Sequence, residues 1–275
     1  MESLVNWRLV RERMYARTEG AKAANWDKFA DMYDNMAKLE TRFTQKQVDS
    51  MPIEPSDTVV DIGCGPGRLS IPVARRAGEV TCVDAFANML DRCITNASVQ
   101  GIDNINPLLL DWNADDAVER IGVHDVAIAS RSVGFSDLVK LNQVASKYAI
   151  IMNFANAPSL REIQLDFLEG ITEQPNRKYT PSSRALSYNV TFNMLYDMGA
   201  EPNILILDDG FEATFDTKQA AYDGLRFVGD IPAESEARFR QNVDKYLTET
   251  DDKRWRLFRP TRSYIMWWKT SDVNA

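Results

Sequence analysis

Between Val59 and Gly67 an apolar run ends in Asp61 and is followed by Gly63, Gly65 and Gly67 on alternate positions, in the stretch VVDIGCGPG. Glycine lets the backbone take left-handed conformations and pass close to a ligand with no Cβ in the way. A glycine-rich turn between a strand and a helix is a common seat for a nucleotide. A dinucleotide site needs a further glycine at the G-x-G-x-x-G spacing, where the helix packs close on the strand. Counted from Gly63, that position is Arg68, so the fingerprint fails and an NAD-dependent oxidoreductase is disfavoured. What remains is D-x-G-x-G-x-G, with Cys64 and Pro66 between the glycines.

The elements that must position this turn are legible on either side of it. From Thr58 to Phe154 the apolar runs TVVDI, EVTCVD, INPLLLD, DVAIAS and YAIIMNF alternate with helical stretches near 67–76, 86–100, 113–120 and 136–146. That alternation predicts right-handed βαβ crossovers and a parallel sheet covered on both faces. Asp61, Asp84 and Asp111 then fall at the C-terminal ends of three successive strands, where open α/β sheets bind ligands. Asp84 lies about twenty residues beyond the turn, the place from which a carboxylate accepts hydrogen bonds from ribose hydroxyls.

The flanks differ in pattern. The first fifty residues read as helices: Leu4, Trp7, Val10 and Met14 share one face, and Trp26, Phe29, Ala30, Tyr33, Met36 and Ala37 another. After Phe154 two helices are expected, at about 158–172 and 183–199, separated by EQPNRKYTPSS. A strand over 203–209, helices over 217–228 and 233–249, and a final strand over 262–270 close the chain. The expected organisation is a helical extension or lid over 1–50, a core over 51–156 and 201–275, and an inserted helical cap over 157–200.

Composition narrows the class of partner. The net charge of −8 argues against binding along a phosphate backbone, and so against DNA. No apolar run approaches the ~18 residues of a membrane span, and the charged N-terminus does not read as a signal peptide. Cys64, Cys82 and Cys93 have neither metal-ligand nor C-x-x-C spacing and read as small buried thiols in a reducing cytoplasm. No metal site is expected.

VVDIGCGPGRLSIPVA resembles motif I of the class I S-adenosylmethionine-dependent methyltransferases, and the resemblance extends from about Trp26 to Lys269. It implies a Rossmann-like, seven-stranded, mostly parallel α/β sheet flanked by helices, with its seventh strand antiparallel. It also implies S-adenosylmethionine as cofactor and S-adenosylhomocysteine as product. On it, Asp61, Gly63, Cys64, Gly65 and Gly67 form the cofactor turn, and Asp84 holds the ribose. AFANML matches the stretch after the second strand, placing Ala85 and Met89 on the adenine side. Asp111 takes the adenine amino group, and Trp112 stacks on or walls off the base. NWDKFADMYDNMA is similar to an N-terminal helix whose tyrosine, here Tyr33, closes over the cofactor.

The acceptor is harder to read. The segment after the fourth strand, ASRSVGF, lacks the N/D-P-P-Y/F that grips planar amines in some relatives. It offers Ser130 to line the methyl pocket and Arg131 to contact a carboxylate or phosphate, or else to pair with a structural carboxylate. His124, the single histidine, starts the fourth strand, away from the cofactor end. Tyr15, Tyr179, Tyr188 and Tyr196 are further candidates to orient an acceptor, and Arg177, Lys178 and Arg184 make the insert locally basic. The reading favoured is methyl transfer to a small-molecule acceptor in the cytoplasm, an anionic one being the candidate that the basic insert suggests. An RNA or protein acceptor, or a SAM-binding sensor without transfer, stays open. The oligomeric state is not legible.

Overall fold

The computed structural model describes residues 5–15, 26–173, 184 and 187–273, with the side chains of residues 13–15 excepted. Leu4, Arg177, Lys178 and Tyr179 lie outside the described residues, as does the Tyr15 side chain.

Helix α1 (Trp7–Tyr15) is followed by a 3-10 turn at Trp26–Phe29, then α2 (Ala30–Lys38) and α3 (Thr41–Asp49). The βα alternation runs β1 (Thr58–Ile62), α4 (Ser70–Ala74), β2 (Glu79–Asp84), α5 (Ala87–Val99), β3 (Ile105–Leu109), α6 (Ala117–Ile121), β4 (His124–Ser130), α7 (Leu138–Gln143) and β5 (Ala145–Phe154). Then come α8 (Leu160–Phe167), α9 (Tyr188–Asp197), β6 (Asn203–Phe215), α10 (Lys218–Gly224), α11 (Glu236–Asp244), β7 (Leu247–Glu249) and β8 (Trp255–Lys269).

The main sheet order is β3-β2-β1-β4-β5-β8-β6. β1 to β5 pair in parallel, and β8 lies antiparallel between β5 and β6. The order reverses between β1 and β4, which opens a crevice at the strands' C-terminal ends. Short β7, paired with β8, is an eighth strand that the sequence reading had as the end of a helix over 233–249. Leu247 to Glu249 cannot continue α11, because they pair with Leu257, Arg256 and Trp255 instead.

Each sheet face carries its own core. Val59, Val80, Cys82 and Ile128 pack with Val48, Ile71 and Leu90 on one side. Val60, Ile62, Ala127 and Ile151 pack with Leu141, Leu195 and Trp268 on the other. The burial of both faces explains why these strands read as unbroken apolar runs. β6 and β8 are longer than expected, starting or continuing through charged residues whose neighbours on alternate positions are buried. Their far halves form a third core with Phe167 of α8, Tyr222 of α10 and Phe239 of α11.

The two helices expected as one inserted cap go to different places. Phe167 and Ile163 of α8 join the third core, while Leu195 of α9 joins the second and α9 packs against α1. Trp26 and Phe29, expected on the buried N-terminal face, are 40% and 44% exposed, because they belong to a 3-10 turn and not to the helix of Ala30 and Met36. Among the described residues no helix is long and apolar enough to cross a membrane.

Candidate active site

The glycine turn sits at the C-terminal end of β1, as its spacing predicts. Gly63, Gly65 and Gly67 have φ of 73°, 56° and 84°, a region that L side chains rarely enter. The first of them is also needed for space: a Cβ on Gly63 would lie 2.6 Å from Ser132 Cβ. The Gly63 and Cys64 N–H groups donate to the Val83 carbonyl at 2.8 and 3.0 Å, tying the turn to β2.

Asp84, at the end of β2, accepts from the Gly65 N–H at 2.9 Å and from the Phe86 N–H at 3.0 Å, one on each carboxylate oxygen. It is buried, and burial raises its pKa. Each oxygen keeps a free lone pair for a hydroxyl donor. Ala85 is exposed beside it, and Met89 is buried in the first turn of α5. Asp111 is exposed after β3 and accepts from the Asn113 N–H at 2.9 Å. Trp112 corrects its expectation. It is 1% exposed and packed in the second core with Leu110 and Ile121, so its ring offers no open stacking face. Residue 112 points into the sheet–helix layer because Leu110 and Trp112 anchor α6 there.

Asp61 is also buried. Ser70 Oγ donates to its Oδ2 at 2.6 Å, Oδ1 has no partner, and burial pushes its pKa up to about 7. Around it lies a buried polar network that the sequence did not reveal. Arg68 donates to Ser130 Oγ at 2.8 Å, Gln47 Oε1 at 2.9 Å and Thr44 Oγ1 at 3.2 Å. Arg131 donates to Glu40 Oε2 at 2.6 Å, Asp209 Oδ2 at 2.8 Å and Ser263 Oγ at 3.0 Å. Its guanidinium lies 3.8 Å from the Phe154 ring centroid. Arg131 holds a left-handed φ of 53°, a strain that persists only where surrounding contacts fix it. Of the two roles expected for Arg131, the structure has the pairing with structural carboxylates: both terminal nitrogens serve Glu40 and Asp209. Ser130, expected in the methyl pocket, is an anchor for Arg68.

Tyr33 of α2 leans over the turn, its ring 3.6 Å from where a Gly65 Cβ would stand and edge-on to Trp26 at 5.8 Å. Its hydroxyl feels Arg68, Arg131, Glu40 and Asp61, and burial outweighs the two cations to raise its pKa, so it stays a donor. Glu40 Oε1 and Arg131 Nε join Asp61 Oδ1 as buried atoms without a partner. One signal for Glu40 was available: Tyr33, Met36, Glu40, Thr44 and Gln47 recur at helical spacing, putting an acid on an apolar stripe. Nothing local marks Asp209 or Ser263 as its companions.

The remaining candidates lie elsewhere. His124 Nε2 is 3.0 Å from Thr81 Oγ1 at the opposite strand end, and burial lowers its pKa. Tyr188 packs on Tyr264 at 5.5 Å between ring centroids, and Tyr196 is 60% exposed. Beside Ser132 opens a cavity of ≈960 Å³, lined by Arg8 and Arg11 of α1, Val133 and Phe135 after β4, and Met194 and Met198 of the α9 end.

The site suits S-adenosylmethionine by its own chemistry. The positive-φ turn leaves a cradle that a Cβ would fill, and Asp84 offers a carboxylate to a diol. Comparisons agree. A family model described as "Methyltransferase domain" matches residues 59–148. A Haemophilus influenzae protein described as uncharacterized is 27% identical over 186 residues, 66% of each chain. The 23S rRNA (uracil(1939)-C(5))-methyltransferase RlmD of Photobacterium angustum is 35% identical over 66 residues, 24% of this chain and 30% of that one. The chain thus spans less than two thirds of the length of these relatives. Magnesium protoporphyrin IX methyltransferase of Synechocystis PCC 6803, solved with bound S-adenosylhomocysteine, is 17% identical, with 96% of this chain and 99% of that one covered and a TM-score of 0.46. The glycine turn and the acidic ends of β2 and β3 lie within the segment, residues 59–148, that matches a methyltransferase domain model, and that match supports S-adenosylmethionine as the cofactor.

Proposed function

We propose that this protein transfers a methyl group to a small molecule bound in the cavity between α1, α9 and the segment after β4, in the cytoplasm. The observation that carries the reading is that cavity. It reaches the glycine turn through Ser132, is walled by Val133, Phe135, Met194 and Met198, and carries both cations, Arg8 and Arg11, and acids, Glu12, Asp137 and Asp197.

The bound donor supplies an activated methyl on a sulfonium. Transfer is an in-line displacement, so the protein's tasks are alignment and exclusion of water. Asp84 and the glycine turn would hold the donor's ribose and amino-acid end. Tyr33 covers the turn and would close over the donor. The Arg131 and Arg68 network holds α2 and α3 over the end of β4, which keeps Tyr33 in place. The charged groups of the lining orient a polar acceptor, and the methionine and phenylalanine walls exclude water. A general base is required only for an acceptor that enters protonated.

The test combines binding and turnover. Calorimetry is expected to find S-adenosylmethionine binding below hundreds of micromolar, and product formation is then followed with a panel of small-molecule acceptors. Val133→Trp, which fills the cavity away from the turn, is expected to lower kcat/KM at least about tenfold with donor affinity unchanged, as loss of acceptor positioning predicts. Turnover with RNA or protein but with no small molecule, unaffected by Val133→Trp, overturns the reading. Tight donor binding with no turnover on any acceptor favours the sensor.

A further inference from the structure

Three thiols scattered in the sequence meet beneath the cofactor turn. Cys64 lies in the turn itself, Cys82 in β2 two residues before Asp84, and Cys93 in α5. Their Sγ atoms all lie within 4.8 Å of one another, with Cys82 and Cys93 3.9 Å apart. All three are buried and none is in a disulfide. Linear spacing concealed them, because the residues come from three consecutive elements that converge only when β1 and β2 pair and α5 packs across them. Cys93 is also close to the turn: a Cβ on Gly67 would stand 2.7 Å from its sulfur.

We propose that Cys64, Cys82 and Cys93 form a three-thiolate site for a thiophilic divalent cation of the zinc class. The geometry suits one. A zinc–sulfur bond of about 2.3 Å in a tetrahedral site sets sulfurs about 3.8 Å apart and leaves a fourth position for water. The Cys82–Cys93 pair is already close to that separation, and Cys64 needs to move by about an ångström at most. The donor set is soft, which selects thiophilic ions over magnesium or calcium. Charge selects among thiophilic ions. Three thiolates with a divalent ion leave one net negative charge, whereas a monovalent copper ion leaves two. Asp61 in β1 and Asp84 in β2 are buried on the strands that carry this site, so the smaller buried negative charge is favoured. Binding replaces sulfur–hydrogen bonds by sulfur–metal bonds and releases the thiol protons to solvent, with no oxidant or reductant required. The ion ties together the turn, β2 and α5, the three elements that build the cofactor cradle, so it stiffens the cradle from below.

The chain's cysteine count makes the test direct, since these three are all it has. The full-length reduced protein is titrated anaerobically with Cd2+ while the sulfur-to-cadmium charge-transfer absorption is followed, and Zn2+ is then added as competitor. The expected result is one Cd2+ per chain, displaced by Zn2+, with affinity at least tenfold weaker in Cys82→Ala and in Cys93→Ala. Far-UV circular dichroism checks that each variant is folded, and the wild-type titration decides alone if one is not. Absence of the charge-transfer band in the wild type overturns the proposal, as does undiminished binding in both folded variants. Binding of Cu+ with no binding of Cd2+ or Zn2+ overturns the divalent assignment. Because no cofactor is present in this titration, its failure leaves the proposed methyl transfer standing.

Discussion

Arg131 and Glu40 meet at 2.6 Å with 6% and 0% of their side chains exposed, joining the end of β4 to the residue that links α2 and α3. Removing one partner of a buried ion pair strands the other charge and costs about 3–5 kcal/mol. Glu40→Gln is therefore expected to lower stability by an amount in that range, read from urea midpoints. The exposed Lys218–Asp244 pair, 40% and 38% exposed, is the contrast. Lys218→Ala should change stability by less than about 1 kcal/mol.

Gly63 and Gly101 separate space from backbone conformation. Both have a left-handed φ, 73° and 68°, but a Cβ on Gly63 meets Ser132 Cβ at 2.6 Å and one on Gly101 meets nothing within 4 Å. Gly101→Ala should cost about 1–2 kcal/mol from the left-handed backbone alone. Gly63→Ala should cost measurably more and abolish cofactor binding, because Ser132 sits on the β4 segment that lines the acceptor cavity. Thermal melts and calorimetry on the two variants check this, and equal behaviour would refute it.

Asp84→Asn tests the carboxylate at the end of β2. The amide keeps an acceptor oxygen for one of the two backbone N–H donors, but loses the charge offered to a ribose diol. Hydrogen bonds to charged groups contribute about 1.5–3 kcal/mol, so affinity for S-adenosylmethionine should fall about 10- to 100-fold. Calorimetry at constant pH measures it. Unchanged affinity would remove Asp84 from the cofactor site.

Asp61 makes stability depend on pH in a direction opposite to that of an ion-paired acid. Burial, first among the causes, pushes its pKa up to about 7, while the unfolded chain has the ordinary value of about 3.9. Between those values the folded state holds a proton that the unfolded state has released. Stability contributed by this group therefore falls as pH rises through the window and levels off above it. The loss is on the order of 4 kcal/mol. Subtracting the pH–stability curve of Asp61→Asn from that of the wild type should expose that slope, and a flat difference would refute it.

The alternation of apolar runs from Thr58 to Phe154 and the residues of VVDIGCGPG determined the parallel sheet and the turn, while the cofactor class was implied by their resemblance to a methyltransferase motif. They could do so because sheet periodicity, glycine conformation and strand-end position are local properties of a chain. Three features were decided only by tertiary structure. Trp112 follows Asp111 directly, yet its ring is in the core, because the direction of a side chain after a strand depends on what packs against it. Arg131 is in register at the end of β4, yet it is neutralised by Glu40 and Asp209, which come from 91 and 78 residues away. Cys64, Cys82 and Cys93 show no spacing motif, yet their sulfurs converge. Each is a meeting of side chains from separate elements, and the distances that give them their chemistry exist only once those elements have packed.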